Sequence, residues 1–216
     1  SLDFEGLVIS SVFVNGEPAG YVRNADPALT KYKLIVTPME PVDGEFSVVI
    51  NYSGTPTAHL DPDGSLEGWV ATPDGATAVN EPVGVMTWLP SNNTPQDKAT
   101  FDISLTVPTL IGGAEAAGVS NGELVSKELV AGGSRTIWNW RQPRQMAPYL
   151  ALVSIGKYTM YESDIALASG RTIKEWSFVD PSVTPSQLST TQASRAQIPD
   201  ILNYLESEFG PYPGVS

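Results

Sequence analysis

Five Asx-Gly pairs, Asn15-Gly16, Asp43-Gly44, Asp63-Gly64, Asp74-Gly75 and Asn121-Gly122, punctuate a chain whose intervening runs are short and rich in β-branched and aromatic residues. Each pair favours the positive φ that a tight hairpin turn demands, so the chain is built to reverse direction repeatedly. Leu7 to Val14, Lys33 to Thr37, Phe46 to Tyr52 and Gly68 to Ala71 read as strands, as do Thr136 to Arg141, Leu150 to Tyr161 and, more weakly, Arg171 to Val179. The clearest run is Phe101 to Val107. There Phe101, Ile103, Leu105 and Val107 point one way and Asp102, Ser104 and Thr106 the other, the pattern of a strand with one buried face. No alternation of strands with helices suggests a parallel sheet. The fold class expected is all-β, a two-sheet antiparallel β sandwich.

The character changes after Val179. Asp180 to Thr191 is rich in Ser, Thr and Pro, the composition of a linker or loop. Beyond it Ile198, Ile201, Leu202, Leu205 and Phe209 fall at helical spacing, Pro199 sits where a first turn tolerates it, and Gly210-Pro211 is a stop signal. The division expected is a β domain over residues 1–180, then a linker and one amphipathic helix over 181–216. The apolar stripe of that helix needs a surface to cover it.

Twenty-four acidic residues against twelve basic ones give a net charge of −12. Such a surface repels phosphate backbones and anionic headgroups, so nucleic acid and membranes are not expected as partners. The absence of cysteine removes disulfides and thiolate metal sites, and the fold must rest on its core. No apolar run approaches the ~18 residues of a membrane span. A soluble protein is expected, with the compartment, cytoplasmic or secreted, left open.

Catalytic constellations are hard to assemble here. The single histidine, His59, lies between Ala58 and Leu60 and lacks partners at metal-ligand spacing, so it reads as a loop histidine, and no metal site is expected in this chain. No Ser-His-Asp set can be built around it. The five tryptophans, Trp69, Trp88, Trp138, Trp140 and Trp176, read as core and loop packing, with a sugar-stacking platform as the alternative. Asp97-Lys98 reads as a structural pair or turn brace.

One segment carries more. Asn80-Glu81-Pro82-Val83-Gly84-Val85-Met86-Thr87-Trp88-Leu89-Pro90-Ser91-Asn92-Asn93-Thr94-Pro95-Gln96-Asp97-Lys98-Ala99-Thr100 joins a loop carboxylate, a Trp-Leu-Pro corner and the alternating strand. It resembles the N-terminal β domain of zinc aminopeptidases of the aminopeptidase N family, bacterial branch, which carry Trp-(Phe/Leu)-Pro-x-Asn-Asp-x-Pro-x-Asp-Lys-Ala-Thr before a strand ending in Thr-Val-Pro. Leu2 to Val12, Gly44 to Pro56, Val119 to Leu124 and Met146 to Tyr158 are similar to further strands and turns of that domain. Tyr204 to Pro213 looks like the helix and Phe-Gly-x-Tyr-Pro turn that open the catalytic domain.

The resemblance implies a saddle-like β domain without the catalytic part, an excised fragment lacking its first strands. Zinc is then expected only in the absent catalytic domain, with its His-Glu-x-x-His helix, and the chain itself holds no cofactor and no catalytic residue. Its partners would be its own catalytic domain and a peptide substrate. By resemblance, Glu81 helps hold the substrate's free amino terminus from one wall of the cleft, a task suited to a carboxylate facing an ammonium. Asn93 stands where the family has Asp, which keeps the geometry and loses the charge. Two other functions stay open: a stand-alone binding module for carbohydrate or cell-surface contact, and a domain of an inactive peptidase homologue.

Overall fold

The computed structural model describes residues 1–26 and 31–215. The chain forms two compact units, Ser1–Ala99 with Met146–Leu152, and Thr100–Gln145 with Val153–Ser216. Both are built of antiparallel strands, and among the described residues one long helix lies near the C-terminus, so the all-β class with a C-terminal helix holds. Among the described residues no helix is long and apolar enough to cross a membrane.

The first unit contains β1 (Leu2–Asp3), β2 (Val8–Val14), β3 (Glu17–Pro18), β4 (Gly20–Asp26), β5 (Lys31–Thr37), β6 (Val48–Ser53), β7 (Ala58–Leu60), β8 (Leu66–Thr72) and β9 (Gly75–Val79). They pair as β1-β5-β4, β3-β2-β6 and β7-β8-β9. The Asx-Gly pairs turn the chain where expected: Asn15 and Gly16 have φ of 51° and 85° between β2 and β3, and Asp74-Gly75 reverses β8 into β9. Phe4, Leu7, Ile9, Val12 and Leu34 form the core of this unit. The Arg23 guanidinium binds the carbonyls of Leu7 and Phe4 at 2.6 and 2.9 Å, satisfying backbone that leaves the ladder at Gly6.

The second unit contains, all but the end residues Ala99 and Met146, β10 (Ala99–Pro108), β11 (Leu110–Ile111), β12 (Ala114–Ser120), β13 (Glu123–Val130), β14 (Arg135–Met146), β15 (Val153–Lys157), β16 (Thr159–Ala166) and β17 (Thr172–Val179). In β10 the alternation is realised: Val107 is buried and Phe101, Ile103 and Leu105 are partly so, while Asp102, Ser104 and Thr106 are exposed. Val107, Ala117, Val119, Trp138 and Trp140 make a core into which Leu105, Trp176 and Phe178 also pack. The run expected as one strand from Leu150 to Tyr161 is two, because β15 pairs with β12 and β16 with β17.

Helix α1 spans Pro185–Phe209, so the stretch expected as linker is largely helix. Thr184 and Gln187 form a capping box, in which each side chain accepts from the other's backbone N–H, and Pro185 opens the first turn. Composition favoured a loop; the cap at Thr184 decides for the helix. Pro199 is consequently interior to α1 rather than in its first turn.

The expected apolar stripe divides. Ile198 and Leu202 pack on Ile165, Leu167 and Ile173, whereas Ile201, Leu205 and Phe209 are exposed. Polar contacts fix α1 to the β16–β17 hairpin: Arg195 grips Glu175, Asn203 accepts from the Ala168 N–H, and Glu206 accepts from the Ser169 and Tyr212 N–H groups.

Candidate functional site

The loop from Asn80 to Asn93 lies wholly in the first unit, and its backbone is held by side chains from several directions. Asn80 is buried; its amide donates to the Ala151 carbonyl and its Oδ1 accepts from Trp88 Nε1 at 2.9 Å. Glu67 on β8 accepts the Val83 N–H at 2.9 Å through Oε2. Thr87 donates to the Gly84 carbonyl at 2.8 Å and accepts the Trp69 N–H at 3.1 Å, and the Tyr52 hydroxyl donates to the Trp88 carbonyl at 2.7 Å. A 3-10 turn over Gly84–Thr87, buried throughout, follows from this bracing.

Glycine is required at two points. A Cβ on Gly84 would stand 2.2 Å from the Gly68 nitrogen, and one on Gly68, whose φ is +80°, would stand 2.6 Å from Thr87 Oγ1. The loop thus seats its backbone directly on β8.

Glu81 occupies the exposed start of this loop, between buried Asn80 and the Val83 that Glu67 holds, and the Glu81-Pro82 peptide bond is cis. Its carboxylate faces solvent on a fixed backbone. Asn93 does more than imitate an Asp: its Nδ2 donates to the Val83 carbonyl at 2.6 Å, a bond that a carboxylate could not make. Asp97 and Lys98 are both exposed, and the turn before them is closed by the Asp97 N–H on the Thr94 carbonyl at 3.2 Å.

His59 is not a loop histidine. It lies in β7 and is 3% exposed, with Nδ1 2.9 Å from Glu5 Oε2 and Nε2 3.8 Å from Asp61 Oδ1. The flanking residues Ala58 and Leu60 suggested nothing of this, because the hydrogen-bond partner, Glu5, comes from 54 residues earlier. Burial is the leading influence on the Glu67 carboxyl, which it pushes above the usual range. Of the tryptophans, Trp138 and Trp140 are buried, and Trp69, Trp88 and Trp176 are partly buried.

No family model and no curated protein matches this sequence. Solved structures do. A two-domain M1 zinc metallopeptidase bound to L-arginine superposes with a TM-score of 0.83 at 25% identity, covering 99% of this chain and 46% of that one. The M1 zinc metallopeptidase from Deinococcus radiodurans, in complex with a Tyr-Ser-Ala substrate, gives 0.78 at 24% identity with the same coverage. Aminopeptidase A of Legionella pneumophila, in complex with aspartic acid, shares the fold at a TM-score of 0.75 and 19% identity, over 97% of this chain and 23% of its own. The chain therefore has the fold of part of an M1 zinc metallopeptidase and spans less than half the length of these relatives.

Proposed function

We propose that this chain is the N-terminal β domain of an M1 zinc aminopeptidase, where it forms one wall of the substrate cleft and presents Glu81 to the amino terminus of the peptide. The observation that carries the reading is the bracing of the Asn80–Asn93 loop. Asn80, Glu67, Thr87 and Asn93 together fix the backbone on both sides of an exposed carboxylate. A charged group held in advance loses little freedom when it meets its partner, which is what an ammonium anchor requires. The likeness to M1 metallopeptidases over nearly the whole chain supports the same reading.

The chain's own residues do not fit the family's catalytic zinc. One histidine on a strand cannot supply the His-Glu-x-x-His pair of a zinc helix, so peptide hydrolysis belongs to residues outside this chain. The role left to this domain is to bind and orient.

The test is Glu81→Ala in the enzyme that joins this domain to a catalytic one. Losing a charge-assisted hydrogen bond of ~1.5 to 3 kcal/mol lowers kcat/KM roughly tenfold to a hundredfold on free-amine peptides. Peptides with a blocked amino terminus should not respond to the substitution. Equal activity of mutant and wild type on free-amine peptides would place the anchor entirely outside this domain.

A further inference from the structure

We propose that His59, Asp61 and Glu67 form a second, non-catalytic metal site in the first unit, taking a divalent transition-metal cation of the zinc class. His59 and Asp61 lie two residues apart, at the end of β7 and just beyond it, and Glu67 is the direct cross-strand partner of His59. Strand geometry therefore turns the His59 and Glu67 side chains to one face, and Asp61 reaches them from just past the strand end. One ligand atom from each lies within 4.8 Å of the other two. Ligand atoms around a tetrahedral zinc stand roughly 3.4 Å apart, for metal–ligand distances of about 2.1 Å. Small side-chain rotations close that difference, and His59 Nε2 already stands 3.8 Å from Asp61 Oδ1.

An independent observation points to a cation. His59 is 3% and Glu67 2% exposed, and the inward atoms of both, Nε2 and Oε1, are buried without a hydrogen-bond partner. The other ends of the same groups are engaged: Nδ1 meets Glu5 Oε2 at 2.9 Å, and Oε2 accepts the Val83 N–H. In the tautomer with the proton on Nδ1, facing Glu5, the imidazole turns a lone pair toward two carboxylates. With both carboxylates ionised, three acceptors then converge, an arrangement costly to bury unless a cation sits between them or the imidazole itself carries the second proton. A carboxylate behind the far nitrogen of a metal-bound histidine is the usual supporting contact for such sites, and Glu5 supplies it. The imidazole selects a transition metal over calcium or magnesium, and Asp61, whose side chain is 12% exposed, leaves an open side for a water as fourth ligand.

The experiment uses the 216-residue chain, which carries no catalytic zinc motif, dialysed free of metal and titrated with Zn2+ and with Co2+. One cation should bind per chain, with a tetrahedral Co2+ absorption spectrum and a rise in the unfolding temperature. His59→Gln should abolish both signals, and Asp61→Asn, at a residue outside the strands, should weaken binding without unfolding the chain. Glu5→Gln, which alters only the supporting carboxylate, should lower affinity roughly tenfold to a hundredfold. No binding at about 100 µM metal, or binding unchanged in both His59→Gln and Asp61→Asn, would overturn the proposal.

Discussion

Removing the Arg195 guanidinium should loosen helix α1 from the β16–β17 hairpin, and the loss should fade in acid. Arg195 Nη2 and Nε lie 2.7 and 3.0 Å from the two oxygens of Glu175, and Ser163 and Ser177 donate to the same carboxylate. The Glu175 side chain is only 9% exposed. Chiefly through Arg195, and against the opposing effect of burial, its carboxyl is held at about 2 in place of the ordinary 4.5. At 1.36 kcal/mol for each factor of ten in acidity, this corresponds to about 3 kcal/mol of stability, shared between Arg195 and the two serines. The pKa is depressed on folding, so this stability is fully present above pH 4.5 and is lost as the pH falls toward 2.

Arg195→Met keeps an apolar stem beneath the contact that Arg195 makes over the Tyr161 ring at 4.8 Å, and deletes the charge. Urea unfolding at pH 7 should show a loss of about 2 kcal/mol, and thermal unfolding a fall of roughly 4 to 8 °C. Glu175→Gln should cost a similar amount, and the double mutant clearly less than the sum, because each single mutant strands the other's partner. Near pH 2.5 the difference between Arg195→Met and wild type should shrink to a fraction of its value at pH 7. An equal penalty at both pH values, or strict additivity in the double mutant, would show that the ion pair does not hold the helix.

The Glu81 and His59 experiments above test the proposed site and the second metal site, and two further substitutions test the loop's seat on β8. Gly84→Ala drives a Cβ into the Gly68 backbone, which no side-chain rotation can relieve, and should cost about 3 kcal/mol or more in denaturant unfolding. Gly20→Ala, whose Cβ would meet ordinary contact at 3.7 Å, is the matched control and should be close to neutral. Thr87→Val removes the acceptor for the Trp69 N–H and should cost ~1 to 3 kcal/mol, visible as a lower unfolding midpoint at unchanged slope.

Turns and amphipathic strands were legible because their signals are local. Asn15-Gly16 and Asp74-Gly75 each needed only two residues to announce a reversal, and β10 needed only its own alternation. Strand β12 escaped notice because Ala114 to Ser120 contains Ala, Gly and one Val where a strand usually shows bulk. Its bulk comes from elsewhere: Trp138 and Trp140 pack against Ala117 and Val119, Trp140 Nε1 donates to the Gly118 carbonyl at 2.8 Å, and a Cβ on Gly118 would meet Leu105 at 2.9 Å. Small residues are selected there by large partners distant in sequence. The first half of α1 was hidden differently: its Ser, Thr and Pro suit a loop, although Thr184 and Gln187 stand at capping-box spacing.

The His59 cluster shows where a local reading must stop and a pairing argument can continue. Asp63-Gly64 reads as a turn, and a hairpin closed there sets Ala58 against Gly68, His59 against Glu67 and Leu60 against Leu66, the observed register. From that register, a histidine, its neighbour two residues on and an acidic residue opposite share one face, which is the geometry of a ligand set. Glu5 could not have been anticipated in this way, since it arrives from 54 residues earlier through the packing of the sheets. The cluster also touches the loop that carries Glu81. Glu67 turns Oε1 to the proposed cation and Oε2 to the Val83 N–H, two residues from Glu81. A cation at Oε1 would fix the orientation of that carboxylate and so hold the acceptor on which the loop's backbone rests. The proposed metal would thus brace the backbone of the loop that carries the exposed Glu81.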